Sequence, residues 1–264
     1  MKTGKSLEDS QTLSKELILK RKTNLFGKNS LAVWLGEKSL EFFCMYYLQD
    51  MFKGDGKSPL SDTHYEIWNE LEDTILLKNS NQRNYICPRG FGKTSIVAAP
   101  LVIWCHTYKH KGYTVIASAV SDTAEQILMT VKNATIDNPY IIYSFGKMVG
   151  KKNFICNSEK LEFSNYSMVQ SISASGAIRG KNYNSTRIEL LICDDYQKLD
   201  EVITHEAREK KWKTFNEDAK MAMQKNNSTI LCFGTIQSSE DFYSRLRNSV
   251  TWKTRIEKGV LLDD

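Results

Sequence analysis

The chain has 264 residues, 41% of them hydrophobic and 25% charged, which is the composition of a packed globular protein and not of a disordered or fibrous one. Its net charge of +5 permits contact with a polyanion without requiring it. Six cysteines (Cys44, Cys87, Cys105, Cys156, Cys193, Cys232) lie far apart with no C-x-x-C pair, which argues against a disulfide framework or a zinc ribbon and for buried thiols in a reducing compartment. No apolar run is long enough to span a membrane, and the first residues do not follow a secretory signal pattern.

Taken in order, residues 1–28 are polar and lysine-rich, with a helical pattern at 13–19, and read as an arm. Residues 31–52 (LAVWLGEKSLEFFCMYYLQDMF) turn aromatic and read as one or two helices whose apolar faces should cover an edge of the main sheet. Gly54, Gly56 and Pro59 mark a loop, which sets the expected organisation: an arm and helical extension over 1–58 and one α/β domain over 59–264. A helix follows to about Leu77, with Asp62 or Thr63 as its N-cap. Its His64 and Tyr65 are candidates to meet a nucleotide base, with core packing of Tyr65 and Trp68 as the alternative.

An apolar strand at 84–87 then leads into Cys87-Pro88-Arg89-Gly90-Phe91-Gly92-Lys93-Thr94-Ser95. Against the pattern G-x-x-x-x-G-K-[ST], Gly92, Lys93 and Thr94 fit, and Cys87 stands where the first glycine is expected. Glycines at 90 and 92 let backbone N–H groups approach phosphate, the following helix N-terminus adds partial positive charge, Lys93 neutralises the β- and γ-phosphates, and the Thr94 hydroxyl ligates Mg²⁺. The bland alternative is a glycine turn that only ends a strand. The helix expected at 95–106 contains Pro100, which should bend or shorten it.

A β-branched strand is expected at 113–120, and Asp122 with Glu125 resembles a capping box opening a helix that Asn138-Pro139 ends. Residues 154–155 and 160–173 alternate as a β-hairpin, and Ser175-Gly176-Ala177-Ile178-Arg179-Gly180 breaks the pattern. The run Arg187-Ile188-Glu189-Leu190-Leu191-Ile192-Cys193-Asp194-Asp195 is a buried strand that delivers two carboxylates at its C-terminal end, where open α/β sheets bind ligands. Asp194 would hold Mg²⁺, mostly through water, and Asp195 would orient or deprotonate an attacking water. The alternative is a pair of exposed acids in a turn. Residues 199–223 form a charged helical segment read as a solvated face, and a buried strand at 228–233 ends at Gly234-Thr235, whose hydroxyl is placed to sense the γ-phosphate. A helix from Asp241 and a strand-like stretch at 251–256 complete the reading.

The phosphate loop PRGFGKTS, the stretch VIASAVSDTAEQILMTVKNATIDNP, AIRGKNY before the acid pair, LLICDD and FGTIQSSEDFYSRL together resemble the ATPase domain of tailed-bacteriophage large terminases over most of residues 60–250. Two positions depart from that family: Cys87 replaces a glycine, and Asp195 replaces the more usual catalytic glutamate with a shorter side chain. The resemblance implies a RecA-like P-loop NTPase, with a mostly parallel sheet flanked by helices, that hydrolyses ATP with Mg²⁺ to drive double-stranded DNA into a procapsid in the host cytoplasm. It implies a homo-oligomeric ring on a portal protein, assisted by a small terminase subunit, and a monomer in isolation is compatible with it. The family's nuclease domain is expected to be absent, making the chain a truncated or separately encoded motor half without DNA cleavage. Two arginines compete to stabilise the transition state, Arg89 within its own loop and Arg179 towards a neighbouring subunit. A helicase-like ATPase and a nucleotide-binding scaffold that does not turn over are the other readings.

Overall fold

The computed structural model describes residues 24–53, 60–77, 81–176 and 178–258. The arm helix read at 13–19, the loop at 54–59 and Ala177 lie outside the described residues. Seven strands, β1 (Asn81–Ile86), β2 (Tyr113–Ser118), β3 (Lys160–Phe163), β4 (Ser167–Ser173), β5 (Leu190–Asp194), β6 (Thr229–Gly234) and β7 (Lys253–Ile256), form one sheet in the order β3-β4-β2-β5-β6-β1-β7. All pairings are parallel except the β3–β4 hairpin, so the C-terminal ends of β1, β5 and β6 gather on one side. A strand inserted between the loop-bearing β1 and the acid-bearing β5 gives the RecA-like arrangement that the sequence leads one to expect.

Strand periodicity divides the core between two faces. Leu190 and Ile192 of β5 and Leu231 and Phe233 of β6 enter one apolar cluster, whereas Leu191, Cys193, Ile230 and Cys232 enter the other. On the first side α1 (Leu31–Lys38) packs on α2 (Leu40–Tyr47), which joins α3 (Asp62–Leu76), α4 (Ala99–Thr107), α5 (Ser121–Ile136) and α6 (Pro139–Phe145) in the same apolar cluster. The second is covered by the helical run containing α7 (His205–Thr214) and by α8 (Phe242–Arg247). Among the described residues, no helix is long and apolar enough to cross a membrane.

Several local expectations are corrected. Residues 31–52 form three helical pieces where one or two were expected, α1, α2 and a short turn at Gln49–Phe52; α2 packs over α3, α4 and α6, so the segment makes an outer layer and does not close a sheet edge. The reason lies in α4, every residue of which is buried; a helix apolar all round needs cover on its outer side as well. Trp104 Nε1 donates to Gly36 O at 2.7 Å, and Leu40 N to Glu72 Oε2 at 2.9 Å, fixing that layer. The cap of α3 is Ser61, one residue before Asp62 and two before Thr63, and the Ser61 N–H donates to His64 Nδ1 at 3.0 Å. No side chain caps α5, which starts after Val120, so Asp122 and Glu125 form no capping box. The charged run at 199–223 is only partly a solvated face: Lys211 is buried, 3.2 Å from Glu201 and 4.4 Å above the Tyr196 ring.

Pro100 acts differently from a simple kink. Residues Lys93–Ala98 form a π-helical turn, and regular α4 begins only at Ala99. A proline at 100 has no N–H to offer the Ile96 carbonyl four residues back, and the Trp68 indole donates to that carbonyl instead, at 2.9 Å. Trp68→Phe keeps the ring bulk but orphans the carbonyl, and should destabilise the protein by about 1–3 kcal/mol. Thermal melts should show Tm lowered by several degrees, with part recovered in Trp68→Phe/Pro100→Ala; an unchanged Tm contradicts this role.

Candidate active site

The loop after β1 is shaped by its own contacts. Gly90 and Gly92 have φ of +79° and +86°, the left-handed region that L residues rarely adopt. At Gly92 a Cβ would also come within 2.6 Å of Ile96 Cδ1. The Lys93 side chain is buried, with Nζ donating to Pro88 O at 3.2 Å and to Thr235 Oγ1 at 3.3 Å. An ammonium carries three donors, so one remains for an incoming anion. Thr235 Oγ1 in turn donates to Cys87 O at 3.0 Å, so the end of β6 is tied to both the loop and its lysine. Cys87 itself is buried, and desolvation pushes its thiol up to about 12; it is an inert filler at the glycine position.

His64 supports this loop from beneath. Because Nδ1 accepts from the Ser61 N–H, Nε2 carries the proton and donates to Phe91 O at 2.9 Å. The imidazole also lies against the Phe91 ring, with centroids 4.6 Å apart. His64 is 6% exposed, which makes it a strut of the loop. Tyr65 is half-buried and packs edge-on to Trp68 at 5.5 Å, the alternative weighed for it from sequence.

Across from the loop, Thr94 Oγ1 donates to Asp194 Oδ2 at 2.6 Å. Asp194 is 1% exposed, and its Oδ1 is buried without a hydrogen-bond partner. Desolvation raises its carboxyl to about 6, with Asp195 adding to the rise, while the Thr94 hydrogen bond and the Lys93 charge oppose it. A buried, half-satisfied carboxylate beside a hydroxyl is a hard oxygen donor set, and it fits a divalent cation such as Mg²⁺. Among the described residues there is no group of three or more His, Cys, Asp or Glu that could hold a metal. This pair therefore suits an ion that takes its remaining ligands from water and phosphate.

Asp195 is exposed and sits at φ +41°, a strained conformation for a non-glycine residue. Its N–H donates to Phe233 O at 2.9 Å, and its carbonyl accepts from Ala119 N at 3.1 Å. The next N–H, of Tyr196, donates to the Tyr243 hydroxyl at 2.7 Å.

Of the residues singled out in the sequence, Gly90, Phe91, Gly92, Lys93, Thr94, Asp194, Asp195 and Thr235 come together. Arg89 lies exposed in the loop, and Ser95 is exposed on the first turn of the helix, where it also lines a neighbouring cavity with Ile96 and Asn133. Arg179 stands apart, lining a separate groove with Lys181 and Arg187. Sequence reasoning missed Tyr243 and the Pro88 carbonyl; Tyr243 lies within FGTIQSSEDFYSRL, but nothing in that spacing announces a partner 47 residues away.

No protein-family model and no curated protein sequence matches this chain. Solved structures are similar to it. The HK97 bacteriophage large terminase superposes with a TM-score of 0.56 at 14% identity, covering 87% of this chain and 45% of that one. The large terminase of a thermophilic bacteriophage gives 0.48 at 10% identity over 75% and 46%. The Phi-28 gp11 DNA packaging motor gives 0.39 at 11% identity over 72% and 60%. The chain thus spans less than half the length of the HK97 protein, whose fold it shares over most of its own residues.

The raised carboxyl of Asp194 carries a stability consequence. A folded-state value near 6 exceeds the ordinary 3.9, so the penalty for ionising Asp194 is absent below about pH 4 and complete above about pH 6, where it reaches about 3 kcal/mol. Asp194→Asn, which still accepts from Thr94, should raise the metal-free Tm at pH 8 and lose that advantage by pH 4. A Tm difference independent of pH contradicts the assignment.

Proposed function

We propose that this chain binds ATP with Mg²⁺ and hydrolyses it, serving as the motor domain of a phage large terminase that drives double-stranded DNA into a procapsid. One observation carries the reading: the Thr94–Asp194 hydrogen bond, beside the orphaned Asp194 Oδ1, joins the phosphate loop to the acid strand. A glycine turn that merely ended β1 would have no use for a buried lysine and a buried aspartate converging behind it. The fold shared with the HK97 large terminase supports the packaging-motor part of this reading.

In this reading the backbone of residues 90–94 and Lys93 cradle the β- and γ-phosphates. Thr94 and Asp194 hold Mg²⁺, which when bound neutralises charge on the phosphate oxygens. Asp195, exposed next to that site, orients the attacking water and takes its proton. Thr235 touches Lys93 and the loop carbonyl, so loss of the γ-phosphate is felt at the end of β6. His64 holds the loop, and Arg89 or a neighbour's Arg179 stabilises the transition state. Under the same proposal the working form is a homo-oligomeric ring in the host cytoplasm, with the portal protein and a small terminase subunit as partners. It grips DNA phosphates without sequence preference.

Steady-state and single-turnover ATPase assays test the reading. Lys93→Ala should lose about 1.5–3 kcal/mol of phosphate binding and fall to background turnover with its fold intact. Asp195→Asn should retain ATP affinity within a few-fold and lose at least about 100-fold in hydrolysis. Undiminished turnover by folded Lys93→Ala, or no turnover by wild type under assembly conditions, overturns it.

A further inference from the structure

The exposed carboxylate of Asp195 sits on a left-handed backbone that the surrounding structure must enforce. One hydroxyl group does much of that enforcing. Tyr243 OH accepts the Tyr196 N–H at 2.7 Å and donates to Phe233 O at 3.0 Å. Phe233 O is the same carbonyl that accepts the Asp195 N–H at 2.9 Å. The phenol therefore closes a hydrogen-bonded ring through Asp195, Tyr196 and the end of β6. Two residues beyond Phe233 lies Thr235, in contact with Lys93.

The hydroxyl itself is held from several directions. Gly234 leaves room for the ring, since a Cβ there would overlap the phenol. The Tyr243 carbonyl accepts Asn84 Nδ2 of β1 at 3.1 Å. The first turn of α8 is fixed by Asp241, which accepts Ser244 N at 2.8 Å, and by Gln197, which accepts Phe242 N at 2.8 Å. Tyr243 is 3% exposed, so water does not readily take over its hydrogen bonds.

We propose that Tyr243 is a positioning residue for hydrolysis, acting through the Asp195–Tyr196 backbone to set the carboxylate that orients the attacking water, and linking it to the Thr235 end of β6. The proposal rests on the ATPase reading above. It differs from a plain core role because it assigns the work to one oxygen atom: the ring fills space in Tyr243→Phe as well, and only the bridge is lost.

Tyr243→Phe is compared with wild type, Asp195→Asn, the double variant, and Trp252→Leu as a variant weakened in the same apolar cluster away from the site. The expected result is a fall in kcat of about 10–100-fold in Tyr243→Phe, the size produced by misplacing a catalytic group, with KM and ATP affinity unchanged. Trp252→Leu should lower Tm at least as much and leave kcat within about two-fold. In Asp195→Asn the further change Tyr243→Phe should have little effect, because the group it positions is gone. Amide exchange at Tyr196 should accelerate in Tyr243→Phe. A kcat loss equal to that in Trp252→Leu, full additivity with Asp195→Asn, or a KM effect without a kcat effect overturns the positioning role while leaving the ATPase reading standing. An inactive wild type removes both.

Discussion

A buried carboxylate is the constraint around which this structure is arranged. Asp194 sits at the end of β5 with one oxygen satisfied by Thr94 and the other by nothing. A fold does not retain such a group for stability, because its desolvation outweighs a single hydrogen bond. Its position follows from the sheet order: β6 lies between β5 and β1, so the loop after β1 faces the acids across the end of β6. The helix after the loop then brings Thr94 within 2.6 Å of the carboxylate. Lys93, tied to Thr235 at the end of β6, completes the triangle.

The supporting contacts share one character: each ties down a backbone group that the site would otherwise leave loose. The Trp68 indole takes the carbonyl freed by Pro100, His64 takes the Phe91 carbonyl, and Tyr243 takes the Tyr196 amide. Together they keep the π-helical turn, the loop and the strained Asp195 in one arrangement. Such preorganisation is what transition-state stabilisation requires, since groups already aimed need little rearrangement when charge develops.

Much of this was legible in the sequence. The loop was readable because glycines and a lysine at fixed spacing follow an apolar strand, and the acid pair because four consecutive apolar residues run straight into two aspartates. The continuous apolar runs of β5 and β6 also read as buried strands, as a sheet covered on both faces requires. What escaped reading was long-range. The α3 cap lies at Ser61 because His64 turns back to it, and His64 turns because Phe91, 27 residues on, offers a carbonyl. The outer position of α1 and α2 follows from the all-round burial of α4, which hydrophobic periodicity cannot distinguish from a one-sided helix once nearly every position is apolar. Tyr243 reads as one aromatic among many until the 47-residue contact is seen.

The central claim is that Thr94 and Asp194 hold a divalent cation for a nucleotide cradled by Lys93. Calorimetric titration of a non-hydrolysable ATP analogue, with and without Mg²⁺, addresses it most directly at pH 8, where Asp194 is ionised. Wild type should bind at least about 10-fold more tightly with Mg²⁺, and Asp194→Asn should lose that increment while keeping its metal-free affinity. Mg²⁺ enhancement that survives Asp194→Asn, or a wild type that binds no nucleotide, would contradict the account.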